Sequence, residues 1–356
     1  MEKQELKYYL NEDIKNTPRV FPMQGRCEYE RFDMNENPEG LPKDFVDAVL
    51  SEVTPKFLAM YPEPGGFIKK YAELLGVGEE NISATNGSDM AIRYILESFG
   101  ERGKDVVGVS PSFEMYRIHC SILGLNYKAV EYEKDLSFDF QKLLSAIDEN
   151  TRIVSMLNPN MPIGNVYTEE QVRLAISKAG EVNALVVIDE AYHYFYPNSF
   201  LSLAEEFDNV LILRTFSKFF SMAGCRLGVV IGNPSLIKHL NQAKLSFDAN
   251  AFALLFAERL LDRKDIIERM VESEKEGKGY ALGELEKRGY VVPESNGNYL
   301  LVKTKKAPKE VFEELKEQKI LVHTYSNPVI KDYIRISTGS KRAMEKVLSA
   351  FFKADC

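Results

Sequence analysis

The sequence of 356 residues predicts an α/β protein, with a large domain built on a mainly parallel sheet flanked by helices and a smaller α+β domain after it. Three observations carry that expectation. Short apolar runs at residues 105–109, 151–157, 184–188 and 209–213 are too brief for helices and read as buried strands. Helical stretches at 89–99, 113–123 and 168–178 lie between them, the last opening on Thr168-Glu169-Glu170-Gln171, which suits an N-cap. Strand and helix in alternation give parallel pairing, with ligands at the carboxyl ends of the strands. After about Asn250 the pattern changes: a long helical region runs through Glu258, Lys275 and Leu285, and residues 289–292, 298–302 and 333–337 alternate like half-exposed strands. The expected division is an N-terminal arm with part of the small domain at 1–45, the large domain at 46–250 and the small domain at 251–356.

Composition removes several function classes. A formal net charge of -8 speaks against a surface made for nucleic acid or anionic membrane. No apolar run approaches the roughly 20 residues of a membrane span, and Met1-Glu2-Lys3-Gln4-Glu5 has no signal-peptide core, so a soluble cytosolic protein is expected. Cys27, Cys120, Cys225 and Cys356 are scattered, which indicates neither a zinc site nor a disulfide framework.

The chemistry starts at Lys218. Phe216, Phe219, Phe220 and Met222 give it an apolar setting, and desolvation disfavours the ammonium form and frees the amine to attack a carbonyl. Thr215 and Ser217 offer hydroxyl donors, and Arg226 offers a planar guanidinium for a phosphate. An aldehyde that carries a phosphate suits this segment, which points to pyridoxal 5'-phosphate. Asp189 follows the apolar run at 184–188, and a buried carboxylate there needs a partner such as a protonated pyridine nitrogen. Asn158 ends another strand in the turn Asn158-Pro159-Asn160-Met161-Pro162-Ile163-Gly164, in reach of a ring hydroxyl. Asn86-Gly87-Ser88-Asp89 turns a strand into a helix, whose first N–H groups attract phosphate. It is neither a dinucleotide-binding glycine motif nor a Walker loop.

In chain order these pieces resemble the fold type I pyridoxal-phosphate enzymes, and among them the histidinol-phosphate aminotransferase group of the class I/II aminotransferases. The resemblance rests on Asn35-Glu36-Asn37-Pro38-Glu39-Gly40, Tyr61-Pro62-Glu63-Pro64, Asn86-Gly87-Ser88-Asp89, Ser110-Pro111-Ser112-Phe113-Glu114-Met115-Tyr116, Asn158-Pro159-Asn160, Asp189-Glu190-Ala191-Tyr192, the Lys218 segment and Tyr333-Ile334-Arg335-Ile336-Ser337. It covers nearly the whole chain, and it implies a large domain with a seven-stranded type of sheet.

The resemblance implies that Lys218 holds the cofactor as a Schiff base and moves the proton, that Asp189 holds the pyridine nitrogen, and that Asn158 and Tyr192 hold the ring hydroxyl. Phe113 would stack on the ring, where many relatives have tyrosine, and Ser88, Asp89, Ser217 and Arg226 would surround the phosphate. Tyr61 would reach the phosphate of a neighbouring subunit, so a homodimer is expected. Arg335 would grip the acidic group of the substrate, with Asn37, Tyr116 and His323 as further substrate residues. His323 stands where relatives acting on histidinol phosphate carry a second arginine, although a partly buried histidine satisfied by a neighbour is the plainer reading. Asn160-Met161-Pro162-Ile163 and Ser246-Phe247-Asp248-Ala249-Asn250 also depart from the family pattern.

Three functions fit these residues. The first is an aminotransferase that moves an amino group from a donor such as glutamate to a small, possibly phosphorylated, keto or aldehyde acceptor in a ping-pong cycle. The second is a decarboxylase of a small phosphorylated amino acid, and the third is a cofactor-binding regulator without turnover. The regulator would carry a basic DNA-binding segment, which the residues before Asn35 do not supply.

Overall fold

The structure is a computed structural model that describes residues 9–17, 19 and 21–356. Residues 1–8 of the expected N-terminal arm therefore lie outside the described residues. The strands, in chain order, are β1 (Glu30–Arg31), β2 (Ile82–Thr85), β3 (Asp105–Ser110), β4 (Asn126–Glu131), β5 (Thr151–Leu157), β6 (Leu185–Asp189), β7 (Val210–Thr215), β8 (Gly228–Gly232), β9 (Tyr299–Lys303), β10 (Ile320–Leu321), β11 (His323–Thr324) and β12 (Tyr333–Ser337).

Seven of them form one sheet in the order β2-β8-β7-β6-β5-β3-β4. Only β8 runs against its neighbours β2 and β7, and the other pairings are parallel. The apolar runs explain the centre: β6 and β7 are buried at every position, as strands covered on both faces must be. Helices supply the cover. Glu169–Glu181 starts on the capping box expected at its N-terminus, with Gln171 N donating to Thr168 Oγ1 at 3.2 Å and Thr168 N to Gln171 Oε1 at 3.0 Å.

The smaller unit holds the antiparallel sheet β11-β12-β9 and the parallel pair β1-β10. Its separate core gathers Leu300, Val302, Ile334 and Ile336 with Met344, Val347 and Phe351 of helix Lys341–Ala354. Phe32 of the N-terminal segment is buried in that cluster, and β1 pairs in parallel with β10.

Three expectations change. Helix Ala251–Leu261, expected in the small domain, shares a core with the large one: Ala253, Leu254, Ala257 and Leu260 are buried in the cluster that includes Phe67, Tyr71 and Phe216. The change of core comes within the next helix, Lys264–Lys287, where Ile266 belongs to the large core and Ala281 and Leu285 to the small one. The long helical region is thus two helices, broken at Asp262 and Arg263. Residues 289–292 form no strand: Gly289 at φ +73° turns the chain out of the helix, Gly289 N and Tyr290 N bond back to Glu286 O at 2.9 Å and Leu285 O at 3.1 Å, and Lys303 N donates to Val291 O at 3.2 Å. Among the described residues no helix is long and apolar enough to cross a membrane.

Candidate active site

The carboxyl ends of β5, β6 and β7 deliver Asn158, Asp189 and Thr215 to one edge of the sheet, and the loop after β7 brings Lys218 across it. That loop is tightly tied. Phe216 N donates to Leu227 O at 3.0 Å, Met222 N to Phe216 O at 3.1 Å and Ser221 N to Lys218 O at 3.1 Å. Phe216 stacks on Phe220 with centroids 4.4 Å apart, and Tyr194 stacks on Phe219 at 4.5 Å. The Lys218 amine donates to Met34 O at 2.7 Å. Burial, aided by the Arg335 charge, lowers its pKa to about 8, so about a tenth of the amine is neutral at pH 7.

Asp189 is 3% exposed, and its carboxylate accepts from Tyr116 Oη at 3.1 Å and from Ala191 N at 3.1 Å. No cation pairs with it among the described residues. Burial pushes its pKa up to about 7, against the lowering effect of its two hydrogen bonds. Asn158 is 1% exposed; its Oδ1 accepts from Tyr167 N at 2.9 Å while its Nδ2 has no partner. Tyr192 Oη accepts from Asn35 Nδ2 at 2.8 Å and so keeps its own proton for another acceptor. A buried acid without a cation and a buried amide donor without an acceptor are costly alone, and both are met by an aromatic nitrogen heterocycle with a hydroxyl.

Beside them lies a cradle of backbone. Gly87, at φ +76°, begins helix Gly87–Phe99, and a Cβ on it would lie 2.5 Å from Arg226 Nη2. A Cβ on Gly228 would lie 2.5 Å from Gly87 C, so both glycines are needed for the close approach. Asn86 makes no side-chain cap, which leaves the first N–H groups of this helix to an anion. Arg226 donates to Ser217 Oγ at 3.2 Å and to Asp89 Oδ2 at 3.2 Å. The Asp89 carboxylate therefore orients Arg226, and only its main-chain N–H suits a phosphate. The unusual 246–250 stretch braces this cradle: Asp248 Oδ2 accepts from Asn86 N at 2.8 Å, and Asn250 Nδ2 donates to Cys225 O at 2.7 Å.

On the small-domain side, Arg335 of β12 is 5% exposed. Its Nη1 donates to Tyr325 Oη at 2.9 Å and contacts Met161 Sδ at 2.7 Å, its Nη2 donates to Asp33 O at 2.5 Å, and its Nε has no partner. His323 of β11 lies opposite Arg335 in register. Burial and the Arg335 charge lower its pKa to about 3, so it is neutral at physiological pH. A cavity of about 270 Å³ is lined by Lys218, Asn37, Asn298 and Thr338, and helix Lys264–Lys287 closes its far wall.

Most of the expected residues come together here. Lys218, Asp189, Asn158 and Tyr192 occupy the strand ends, Ser88, Asp89, Ser217 and Arg226 the cradle, and Asn37 the cavity wall, where it donates to Ser221 Oγ at 2.8 Å. Phe113 packs half-buried against the cluster that contains Ala91, Tyr116 and Val187. Tyr116 departs from its expected place: its hydroxyl binds Asp189 and its side chain is fully buried, so it supports the acid and faces no substrate. Tyr61 stands apart, 73% exposed and stacked on Phe247 at 4.2 Å. Asn35, Tyr325 and Met161 lie at the site beyond the residues expected from the sequence. Asn35 opens the motif at 35–40, and φ +54°, which asparagine tolerates, turns its amide to Tyr192 and its N–H to Ser337 Oγ at 2.8 Å.

Known proteins resemble this chain in sequence and in fold. The histidinol-phosphate aminotransferase of Caldanaerobacter subterraneus subsp. tengcongensis is 30% identical, across 98% of this chain and 97% of that one. That of Clostridium novyi is 29% identical, across 96% and 95%. Among solved structures, histidinol-phosphate aminotransferase from Sinorhizobium meliloti in complex with pyridoxal-5'-phosphate superposes with a TM-score of 0.87 at 21% identity, covering 99% of this chain and 98% of that one. The enzyme of that name from Clostridium acetobutylicum gives 0.82 at 22% identity, covering 91% and 98%. The family profile described as aminotransferase class I and II matches residues 30–351, and with that match over nearly its whole length the chain belongs to the class I and II aminotransferases.

Proposed function

We propose that this pyridoxal-phosphate-dependent aminotransferase moves an amino group from an amino acid such as glutamate to a small keto or aldehyde acceptor, with Lys218 as the residue that moves the proton. The observation that carries the reading is the pairing of opposite anomalies at one edge of the sheet: an amine lowered to about 8 and an acid raised to about 7, each by burial. Bound there, the cofactor supplies an aldehyde that takes up amines and a pyridine ring that withdraws electrons.

The residues would divide the work as follows. Asp189 would hold a proton on the ring nitrogen, and its own burial would be relieved by that ion pair. Tyr116 would fix the position of the acid, while Asn158 Nδ2 and the Tyr192 hydroxyl would donate to the ring oxygen. Phe113 would cover a ring face. The N–H groups at 87–89, Ser88, Ser217 and Arg226 would hold the phosphate. Lys218, neutral part of the time at pH 7, would take a proton from the substrate carbon at Nζ and return it. Arg335 would fix the substrate acid, with Asn37 on the cavity wall.

A homodimer belongs to the same reading. Tyr61, Phe247, Leu58, Met60 and Leu245 are exposed large side chains near the large-domain surface, which supports a second copy covering them, with Tyr61 turned to its phosphate. Mixing the purified holoenzyme with single amino acids and following its visible chromophore tests the function. Glutamate is expected to bleach the chromophore and a keto or aldehyde acceptor to restore it. If no amino acid does so, or if carbon dioxide leaves without any acceptor, the aminotransferase reading fails.

A further inference from the structure

We propose that Arg26 is a positioning residue of this active site: its guanidinium forks onto Asp33 and Glu36 at once and so holds the turn between them, residues 33–36, against Arg335, Lys218 and Tyr192. The inference rests on the aminotransferase reading of the same site and adds to it a residue that acts only through others.

Three consecutive residues reach the three groups. Asp33 O accepts from Arg335 Nη2, Met34 O accepts from the Lys218 amine at 2.7 Å, and Asn35 Nδ2 donates to Tyr192 Oη at 2.8 Å. The same segment bonds to both domains. Asn35 N donates to Ser337 Oγ at 2.8 Å, Asn298 Nδ2 to Asn35 O at 3.0 Å, and Asn37 Nδ2 to Ser221 Oγ at 2.8 Å in the loop that carries Lys218. Arg335 and Lys218 are met by main-chain carbonyls, so the course of the backbone decides whether those bonds form. Nothing regular sets that course: β1 ends at Arg31, the next helix begins at Lys43, and Asn35 takes the left-handed region at φ +54°.

Arg26 supplies the missing constraint. Its Nε donates to Asp33 Oδ2 at 3.0 Å and its Nη2 to Asp33 Oδ1 at 2.6 Å. On the other side Nη1 donates to Glu36 Oε1 at 3.2 Å and Nη2 to Glu36 Oε2 at 2.8 Å. These four bonds make two forks on one planar group, which fixes the separation of the two ends of the turn as well as their charge. A lysine is a point charge on a flexible stem and cannot do so. The three side chains are only 16%, 12% and 19% exposed, which sets them apart from the surface pairs that water screens. Arg31, 3.8 Å from Glu36 and 38% exposed, is no substitute. Without Arg26, two largely covered carboxylates would face one another and the turn would open.

The variant Arg26→Gln, cofactor-free and loaded, tests this by three readings. Hydrogen exchange at residues 33–37 should quicken about tenfold or more, with β6 and β7 unchanged. In single turnovers with glutamate the rate at saturation should fall about 10- to 100-fold, since a misplacement of about 1 Å is enough for that. The half-saturation concentration should rise as well, because Arg335 loses its main-chain acceptor, and the visible absorption band should move as Tyr192 loses Asn35. Arg26→Lys should recover little of this. Glu36→Gln, which keeps the fork on Asp33, should fall between the wild type and Arg26→Gln, and it gives the reading if Arg26→Gln does not fold. A folded Arg26→Gln enzyme with wild-type rate and half-saturation would overturn the proposal. So would a loss of stability with unchanged exchange at residues 33–37, or full recovery in Arg26→Lys, because a point charge would then suffice. If glutamate does not bleach the wild-type chromophore, the aminotransferase reading falls, and exchange at residues 33–37 still decides the role of Arg26.

Discussion

Asp189 and Glu190 are consecutive acids, 3% and 1% exposed, with opposite surroundings. Glu190 is closed in: Oε1 accepts from Phe200 N at 2.7 Å and Ser199 Oγ at 2.9 Å, and Oε2 accepts from Arg214 Nε at 3.0 Å. Arg214 turns its Nη2 to Ser199 Oγ at 2.8 Å, so the network completes itself within the large domain. Asp189 has a phenol and one main-chain N–H, and Arg335 across the site has a buried Nε with nothing to bind. Equal burial therefore serves two ends. The Glu190–Arg214 pair holds the loops behind β6 and β7 together, while Asp189 and Arg335 are left with unmet demands. A buried polar group without a partner costs about 1–3 kcal/mol, and these demands coincide with what a cofactor ring and a substrate acid supply.

The comparison breaks if the open set can be altered without loss. Lys218→Ala is the largest expected effect: transamination should fall about 10,000-fold or more, since a general acid–base group contributes about 100- to 10,000-fold and this one also anchors the cofactor. Asp189→Asn should follow, lowering kcat on the order of 100- to 1,000-fold in a protein that remains folded. Single-turnover absorbance measurements with glutamate read both. A variant that keeps wild-type rates would place its residue with the closed set.

The sequence made the Asp189 side of this contrast readable and left the Glu190 side out of sight. An acid at the end of an apolar run signals a strand end. Which of two adjacent acids is paired depends on Ser199 and Arg214, contributed by a separate loop and strand. The central strands β5, β6 and β7 were legible because burial on both faces makes them continuous apolar runs. β4, with Lys128 and Glu131 at the sheet edge, carries no such run, whereas β8 does carry Val229-Val230-Ile231 between Gly228 and Gly232 and is not among the strands expected from the sequence. Tyr325 stayed hidden for a third reason. Its role depends on the loop between β11 and β12 folding back so that its hydroxyl meets Arg335, which no local pattern records.

Glu190→Gln attacks the closed set. Removing one partner leaves the Arg214 charge buried and unmatched, with Arg214 itself 4% exposed. Breaking such a pair costs about 3–5 kcal/mol. Urea unfolding of the cofactor-loaded variant should show that loss, while each folded molecule keeps its transaminase rate, because Glu190 touches neither the cradle nor Arg335. A large fall in kcat with unchanged stability would reverse the roles assigned to the two acids.

The smallest expected effect is a pH dependence belonging to Asp189 alone. In the cofactor-free protein its carboxyl holds a proton up to about pH 7, whereas the unfolded chain releases it near 3.8. Between those values the folded state binds more protons, so stability falls as pH rises. The favourable contribution is complete below pH 3.8 and is gone above about pH 7. At about 1.4 kcal/mol per pH unit, the loss between pH 5 and pH 7 is on the order of 3 kcal/mol. His193 and His323, both lowered to about 3 by burial, push the other way over part of this range. Subtracting the curve of the cofactor-free Asp189→Asn variant removes them, because that variant keeps both histidines. The difference curve should slope downward from pH 5 to pH 7 without cofactor. It should flatten once pyridoxal phosphate is bound, because a protonated ring nitrogen keeps Asp189 ionised across the window. The same slope in both forms would mean that the cofactor never meets this acid, and the open set would then lose its central member.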